Sequence, residues 1–485
     1  MITTVAPDEL YAVLAQFNPW WRGNPLPELP SWHRAAWFQL HRWVAEPPAP
    51  RAILVSGLRQ VGKTTLLLQS IERLLRDGVP AANILYVTFD HPLIKLAGID
   101  AVLSAWRQRD PKQPGPEYLF LDEAQFMRDW AVWIKHQVDF SKNKRRIVFT
   151  GSATPLLEGG QESGVGRWHS IRLSTLSFWE YLRIRKLDLP RLPTLRSLQE
   201  LFRYDEGQYA KVQEAALPYI AHFHEYIVRG GFPQTAQMAS ITEVQRLLRE
   251  DIIDKVLKRD MTALFGVRRI VELEYMFLYL CINDGGLLDI QSICENLHIN
   301  RPTVQNYLQL LEATNLVFRM LPYGYGKEVL RARYKVYLAD ACIAPAVMLK
   351  GRNLIDDPRA MGIATETAVF KHLYSRYYAQ QIRFSYWRGK RDLEVDLLAE
   401  LGGHLIPFEV KYRERATGKR ELKGLLQLCA EKQMERAYIV TKSLTDFGPL
   451  KAVPEDIRTE IMRVPAPLLC YWMGEGEAVE DPSAA

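Results

Sequence analysis

The sequence predicts an α/β fold in which helices cover both faces of a parallel sheet. In the first third of the chain, short apolar runs that indicate buried strands alternate with stretches of helical spacing. The runs lie at residues 52–56, 83–89, 117–122 and 146–150. A glycine-containing loop follows the first run and leads into a helix from about residue 63 to residue 76.

The composition is that of an ordinary globular protein. The 485 residues predict about three domains, and the 48% hydrophobic residues exclude a mainly disordered chain. The five cysteines form no CxxC pair, so we expect reduced thiols in a cytoplasmic protein. The sequence shows neither a long apolar run nor a basic-then-apolar start, and we therefore expect no membrane partner.

Residues 57–65 read GLRQVGKTT and fit the phosphate-loop pattern GxxxxGK[ST] between a strand and a helix. Glycines allow backbone N–H groups to surround phosphate oxygens at the positive end of a helix dipole. We expect Lys63 to reach the β- and γ-phosphates of ATP and Thr64 to hold Mg²⁺. The residues predicted to bind nucleotide here are Gly57, Gln60, Gly62, Lys63, Thr64 and Thr65.

The run at 117–122 ends in two carboxylates, Asp122 and Glu123. Asp122 is predicted to contact the Mg²⁺ shell and Glu123 to act as the base that orients the attacking water. Ser152 follows the next strand and either senses the γ-phosphate or forms a plain strand-end turn. Arg167 is either an arginine finger for a neighbouring subunit or an exposed surface arginine.

A helix at 287–297, a short turn and a second helix at 301–312 are followed by two apolar strands at 316–321 and 334–338. This order is typical of a winged helix. In one interpretation the second helix presents its polar residues to a DNA groove, and in the other the unit packs against protein. The residues concerned are Arg301, Thr303, Gln305 and Asn306.

Two alternating stretches near the C-terminus place carboxylates on predicted strands. Asp396 lies on the first strand, Glu409 and Lys411 share a face of the second, and Glu366 precedes them on a helix. Carboxylates and a lysine in this order can bind a divalent metal ion and activate water. Glu394 shares a face with Asp396, so either is a candidate ligand. The alternative is a fold retained without cleavage.

Basic residues flank this acidic site. The net charge of +6 is weak evidence for a nucleic-acid partner on its own, so the position of the charges matters more. Residues 387–391 read WRGKR, and Lys419 and Arg420 lie in a second basic stretch at 411–423. They either neutralise DNA phosphates, with strong salt dependence, or form a solvated loop.

These residues resemble a widespread bacterial and archaeal ATPase family. Its members join an AAA-type P-loop domain to a C-terminal domain of unknown function related to PD-(D/E)xK nucleases. The matching segments span nearly the whole chain: NPW at 18–20, GLRQVGKTT, LFLDEAQ, TGSAT, the stretch from Gly166 and Arg167 to LSTLSFWEYL, GGFP at 230–233, KVYLAD at 335–340, EVD at 394–396 and EVK at 409–411. The resemblance implies an ATPase that works on DNA.

The predicted fold is therefore a P-loop NTPase (AAA-like) sheet with a helical lid, then a winged helix and a PD-(D/E)xK nuclease-like α/β domain. The predicted segments are an arm rich in Trp and Pro at 1–50, the ATPase core at 51–215, the lid at 216–275, the winged helix at 276–340, a linker at 341–360, the nuclease-like domain at 361–473 and an acidic, disordered tail at 474–485.

The favoured function is DNA-dependent ATP hydrolysis that binds or remodels duplex or branched DNA. Metal-dependent cleavage would use Glu366, Asp396 and Glu409 as ligands and Lys411 as a catalytic residue. The alternative is a nucleotide-controlled signalling or defence switch whose C-terminal half binds protein. An arginine finger implies neighbouring subunits, so a homo-oligomer fits the prediction.

Overall fold

The computed structural model describes residues 5–109, 112–141, 144–152, 166–324, 329, 333–380, 382–390, 393–401, 403–414, 421–451 and 457–479. The chain divides into two compact units. The first comprises residues 1–173 with Ala313–Asn315, and the second comprises Ser174–Glu312 and residues 316–480.

A five-stranded sheet forms the centre of the first unit. Its strands are β1 (Ala52–Ser56), β2 (Ile84–Thr88), β3 (Glu117–Asp122), β4 (Arg145–Gly151) and β5 (Trp168–Arg172). The spatial order is β2-β3-β4-β1-β5, and every neighbouring pair is parallel. The predicted parallel sheet is therefore confirmed. The sequence prediction omitted β5, because this edge strand mixes polar and apolar residues rather than forming an apolar run.

Helices and short helical turns surround this sheet. Their bounds are Pro7–Phe17, Pro19–Arg22, Ala35–Ala45, Lys63–Arg76, Ala81–Asn83, Pro92–Ala97, Ile99–Arg109, Ala124–Phe126 and Trp130–Ser141. One apolar core joins the sheet to the first of these helices through Leu10 and Leu14, which pack with Leu85 and Phe89. Burial of such side chains contributes about 2 kcal/mol each, so the N-terminal helix is part of the core of this unit.

The segment after the first helix covers the free edge of β2. The Asn18 side chain accepts a hydrogen bond from the Tyr86 backbone N–H at 2.7 Å and donates one to the Tyr86 carbonyl at 2.8 Å. The indoles of Trp20 and Trp21 both donate to the Ile84 carbonyl. These side chains take the place of a neighbouring strand and satisfy edge groups that would otherwise be unpaired.

The second unit begins with helices. Up to residue 282 these are Phe178–Ile184, Leu198–Arg203, Glu206–Arg229, Pro233–Gln237, Ile241–Arg249, the π-helical Glu250–Asp260, Met261–Phe265 and Ile270–Ile282. The later helices are Ile290–Leu297, Arg301–Ala313, Ile343–Val347, Asn353–Asp356, Pro358–Tyr377, Tyr378–Gln380, Lys423–Lys432, Leu444–Asp446 and Ala466–Val479.

Two sheets belong to the second unit. The smaller one contains β6 (Leu287–Leu288), β7 (Val317–Met320) and β8 (Tyr334–Leu338), in the antiparallel order β6-β8-β7. The larger one has the order β13-β14-β12-β11-β10-β9. Its strands are β9 (Arg383–Arg388), β10 (Glu394–Leu401), β11 (His404–Lys411), β12 (Arg436–Thr441), β13 (Gly448–Pro449) and β14 (Glu460–Pro465).

The larger sheet is mixed. The strands β9, β10 and β11 pair antiparallel, whereas β11, β12 and β14 pair parallel. Val395 and Leu398 of β10 pack with Leu425 and Leu428 of the helix Lys423–Lys432 in one apolar core. The sequence predicted β10, β11, β12 and that helix, but it predicted neither β9 nor β14.

Two local predictions were wrong. Residues 287–288, expected to begin a helix, pair as β6, and the helix begins at Ile290 because the Asp289 side chain caps it by accepting from the Gln291 N–H. The expected disordered tail is helical as far as Val479. Gly474 packs so closely that an added Cβ would lie 2.4 Å from Ser177 Oγ. In the described part of the chain, no helix is long and apolar enough to cross a bilayer.

Segments that the resemblance rests on meet in a buried polar network of the second unit. The Asp340 carboxylate accepts hydrogen bonds from the Thr175 hydroxyl at 2.6 Å and from the Gly231 N–H at 3.2 Å. The Lys371 ammonium lies 3.2 Å from the same oxygen. Burial opposes the charged form, but Lys371 keeps the pKa of Asp340 below its usual value. These motifs therefore have a structural role in joining distant segments.

Candidate nucleotide site and acidic cluster

The phosphate loop leaves β1 through a position where only glycine fits. An added Cβ at Gly57 would lie 2.2 Å from the Leu173 carbonyl oxygen. Gly62 and Gln60 adopt positive φ angles of 98° and 62°, a region that glycine enters without strain. The loop backbone is therefore curled as a phosphate cradle requires, and the helix that follows begins at Lys63.

Lys63 is held inside this loop. Its side chain is buried, and its ammonium donates to the carbonyl oxygens of Gly57 at 2.9 Å and Leu58 at 2.8 Å. Both acceptors belong to the loop itself. A positive charge is thus placed among the backbone groups that the sequence predicts to surround the phosphates.

Asp122 collects three hydroxyl groups at the carboxyl edge of the sheet. Its carboxylate accepts from Thr64 at 2.6 Å, from Tyr86 at 2.9 Å and from Thr150 at 2.5 Å. Burial, followed by the charge of Asp122, raises the pKa of Tyr86 far above its usual value, so this phenol remains a donor. The carboxylate is consequently fixed next to the phosphate loop.

Glu123 is positioned by a strained backbone and by two neighbouring side chains. Its φ angle of 52° is unusual for a residue with a Cβ. Its backbone N–H donates to the Thr150 hydroxyl at 2.9 Å. The Gln125 side-chain amide donates to the Glu123 carboxylate and also, at 3.2 Å, to Ser152 Oγ. The structure therefore places Glu123 and Ser152 together at this edge of the sheet.

The sequence alone indicated no role for Tyr86, Thr150 or Gln125. Gln125 lies in the LFLDEAQ segment and Thr150 in TGSAT, so both occur in motifs that were recognised. Tyr86 is on β2, which pairs with β3, and only the strand order reveals that it faces Asp122.

Arg167 lies away from this edge. Its carbonyl accepts from the Ala52 N–H at the beginning of β1, whereas the phosphate loop follows the end of β1. Its guanidinium is 3.3 Å from Asp139. Within its own chain, Arg167 thus lies at the amino end of β1, and the candidate nucleotide site lies at the carboxyl end of the same strand.

The second unit contains what we call the acidic cluster, formed by Glu366, Glu394, Asp396 and Glu409. The ammonium of Lys335, a residue of β8, lies among its members. The Nζ atom is 2.7 Å from Glu394, 3.1 Å from Asp396 and 3.2 Å from Glu366. The sequence left open whether Glu394 or Asp396 is the metal ligand, and in the structure both contact this lysine.

The position of Asp396 depends on an irregularity in β10. The pairing of β10 with β9 shifts register between Val395 and Leu398, and such bulges commonly redirect side chains. The Asp396 carboxylate accepts from the Val410 N–H at 2.9 Å. The Lys411 ammonium lies 2.5 Å from the Glu409 carboxylate. Glu409, Lys411 and Asp396 are therefore brought together across the two strands.

The carboxylates of this cluster influence one another. Burial raises the pKa of Glu366 and Glu409, and the charge of Asp396 raises both further, in Glu409 to about 8. Burial alone would also raise the pKa of Asp396, but Lys335 and then Lys411 lower it. Asp396 is thus stabilised as a carboxylate, whereas the protonated forms of Glu366 and Glu409 are favoured.

The sequence predicted Glu366, Asp396 and Glu409 as metal ligands. The structure brings them together, but two of the three face the Lys335 ammonium. Within the described residues, no group of three or more His, Cys, Asp or Glu side chains is arranged to hold a metal ion. The prediction did not anticipate the lysine, because Lys335 lies 31 residues or more from these partners in sequence.

The predicted DNA-facing residues lie on the helix Arg301–Ala313. Arg301, Gln305 and Asn306 are exposed and Thr303 is half-buried, while the opposite face buries Val304, Leu308 and Leu311. Lys419 and Arg420 lie outside the described residues.

Family models match three consecutive parts of the chain. Residues 49–182 match an AAA domain, residues 220–353 match a domain of unknown function, DUF8612, and residues 361–455 match another, DUF4143. Together with the parallel sheet and its phosphate loop, the first match identifies an AAA-type P-loop ATPase domain in this chain.

Two uncharacterized proteins, one bacterial and one archaeal, are similar to this chain over most of their length. An uncharacterized protein of Haemophilus influenzae is 26% identical over 372 residues, covering 74% of this chain and 82% of that protein. An uncharacterized protein of Methanocaldococcus jannaschii is 25% identical over 414 residues, covering 83% of each.

Several solved structures show partial likeness. Aeropyrum pernix ORC1 in complex with DNA has a TM-score of 0.29 and 13% identity, covering 66% of this chain and 94% of that one. Pyrobaculum aerophilum Cdc6p has a TM-score of 0.27 and 15% identity, covering 67% and 97%. AMPPCP-bound DnaA from Aquifex aeolicus has a TM-score of 0.24 and 13% identity, covering 56% and 86%.

Proposed function

We propose that the chain binds ATP with Mg²⁺ and hydrolyses it, and that DNA stimulates the hydrolysis. The observation that carries the ATPase proposal is the 2.6 Å hydrogen bond from Thr64 to Asp122. It joins the phosphate loop after β1 to the end of β3, although β4 lies between these strands. In P-loop enzymes a threonine and an aspartate in these positions share one Mg²⁺.

Each residue of this site has a distinct role. The loop backbone at Gly57 and Gly62 and the Lys63 ammonium bind and orient the phosphates. Mg²⁺ bound through Thr64 and Asp122 would neutralise charge on the phosphate oxygens. Glu123 orients the attacking water and takes up its proton.

Two further residues extend the proposed nucleotide site. Ser152 is held beside Glu123 by Gln125, and we assign it the sensing of the γ-phosphate. The Arg167 backbone lies at the amino end of β1, whereas the nucleotide site of the same chain lies at the carboxyl end. Arg167 can therefore act as an arginine finger only at the nucleotide site of a second copy. A homo-oligomer is therefore part of the proposal.

The DNA part of the proposal rests on the second unit. The helix Arg301–Ala313 exposes polar side chains on one face and buries apolar ones on the other. A helix–turn–helix followed by β7 and β8 has the order of a winged helix, in which the second helix enters the major groove. Exposed basic residues near the acidic cluster, including Arg388 and Lys390, would add contacts to phosphates.

The test is ATP turnover with Mg²⁺, measured without DNA and with single-stranded, duplex and branched DNA. We expect one DNA form to stimulate turnover. The variant Gln305→Glu adds a negative charge to the proposed DNA-facing helix and should raise the DNA concentration for half-stimulation by tenfold or more.

Gln291→Glu is the matched control, because it makes the same change at an exposed position of the preceding helix. It should leave the DNA response unchanged. Turnover that ignores every DNA form would contradict the DNA proposal and favour a nucleotide-controlled switch with a protein partner.

A further inference from the structure

The Lys335 ammonium satisfies the acidic cluster in the way that a bound cation would. A lysine ammonium has three N–H donors, and here three different carboxylates lie within 3.2 Å of Nζ. Lys335 is 2% exposed, so water does not share this role. Its strand neighbour Tyr337 donates to the Glu366 carboxylate at 2.7 Å and fixes one of the three partners.

A divalent ion would need the same oxygens. Magnesium and calcium take carboxylate oxygens at about 2.0–2.6 Å, and the ammonium fills the space between Glu366, Glu394 and Asp396. Buried charges of one sign are strongly destabilising without a counter-charge. A chain that lacks this ammonium therefore leaves three acidic side chains facing one another, and a divalent cation can replace the lost charge.

We propose that Lys335 is the built-in counter-cation of the acidic cluster, that the native chain takes no divalent metal there, and that removal of the ammonium converts the cluster into a divalent-metal site. Of the two alternatives that the sequence left open, metal-dependent cleavage or a fold retained without it, the first is consequently blocked in the native chain by a residue of β8. The inference is independent of the ATPase proposed above, because it concerns other residues.

The experiment measures Mn²⁺ binding to the nucleotide-free full chain by electron paramagnetic resonance, together with thermal unfolding in Mn²⁺. We expect Lys335→Ala to bind Mn²⁺ at least tenfold more tightly than the parent and to gain thermal stability as Mn²⁺ is added. Adding Asp396→Asn to Lys335→Ala should abolish both effects. Lys211→Ala, which removes an exposed lysine from a helix, should behave as the parent does.

Lys335→Gln provides a second route if the alanine variant does not fold, because glutamine keeps a donor but removes the charge. It should also bind Mn²⁺ more tightly than the parent, and Asp396→Asn should reverse the gain. The proposal is overturned if folded Lys335 variants bind no more Mn²⁺ than the parent. It is equally overturned if the parent binds Mn²⁺ tightly and loses that binding with Asp396→Asn.

Discussion

Individual side chains in this molecule are oriented by partners from distant parts of the sequence. Asp122 is held by hydroxyl groups from β2, from β4 and from the helix after the phosphate loop. Asp396 contacts the Lys335 ammonium of β8 directly. Its backbone N–H also donates to Glu409, which in turn pairs with Lys411 of β11. The first arrangement leaves a carboxylate beside a phosphate loop, whereas the second supplies the acidic group with an internal cation.

His372 illustrates how such burial sets a pH response. Its Nε2 accepts from the Phe178 N–H at 2.8 Å and its other nitrogen bonds the Ala368 carbonyl at 2.6 Å, which requires the neutral ring. Burial, and then the charge of Lys371, lowers the pKa of His372 to about 3. At pH values between about 3 and about 6.5, the imidazole of His372 is protonated in the unfolded chain but neutral in the folded chain. The stability that the neutral ring contributes is therefore lost as the pH falls through this range.

We therefore expect His372→Gln to make thermal stability less dependent on pH between 4 and 6.5, because the titrating group is removed. The change in slope should approach about 1.4 kcal/mol per pH unit for the second unit. Calorimetric unfolding across this pH range measures it. His404→Gln, at an exposed position, is the control, and equal slopes for His372→Gln and the parent would contradict the assignment.

The candidate site residues that could be identified from the sequence all belong to contiguous motifs. Lys63 and Thr64 follow a recognisable glycine pattern, and Asp122 ends an apolar run. Lys335 and Tyr86 could not be identified, because each sits on a strand and meets its partners only in the folded chain. Lys335 on β8 of the smaller sheet meets Glu366 of a helix and Asp396 of the larger sheet, whereas Tyr86 meets Asp122 through the order of strands in the sheet of the first unit. A spacing rule along the chain contains no information about that order.

The first helices of the chain are integral to the ATPase fold. Asn18 is fully buried, and its side chain bonds both backbone groups of Tyr86 and the Leu14 carbonyl. It therefore fixes the N-terminal helix to the edge of β2. The sequence predicted an arm rich in tryptophan and proline, but the role of Asn18 depends on the position of β2 at the sheet edge.

Asn18→Ala should destabilise the first unit by about 3 kcal/mol, because buried backbone groups lose their partners. A loss of this size lowers the melting temperature of a unit of this length by roughly 6–12 °C. Differential scanning calorimetry measures the shift. Asn24→Ala, at an exposed position close by, should shift it little, and a similarly small shift for Asn18→Ala would contradict the proposed role.

Element boundaries were predictable where local chemistry determines them. The alternating patterns at 392–398 and 407–411 predicted β10 and β11, whose side chains alternate between the two faces of the sheet. Prediction failed at residues 474–479, where glycine and acidic residues indicated disorder, and residues 480–485 lie outside the described part of the chain. There the helix Ala466–Val479 exists because Gly474 and Gly476 permit close contact with Ser177 and Arg376, which is a tertiary effect.

At the scale of the whole molecule, the chain joins an AAA-type ATPase domain to a second unit with its own sheets and acidic cluster. We predict that the chemistry of the native chain resides in the first unit, at Lys63, Thr64, Asp122 and Glu123. In the function that we propose, the second unit supplies the DNA contact that stimulates this hydrolysis.

The most direct test of this account compares ATP turnover and bound ATP in the parent and in Glu123→Gln, with Mg²⁺ and duplex DNA present. We predict that Glu123→Gln binds ATP as the parent does but hydrolyses it at least about a hundredfold more slowly, because the base is lost. Glu28→Gln, at an exposed position, should hydrolyse normally. Full turnover by Glu123→Gln would contradict the central claim that Glu123 activates the attacking water.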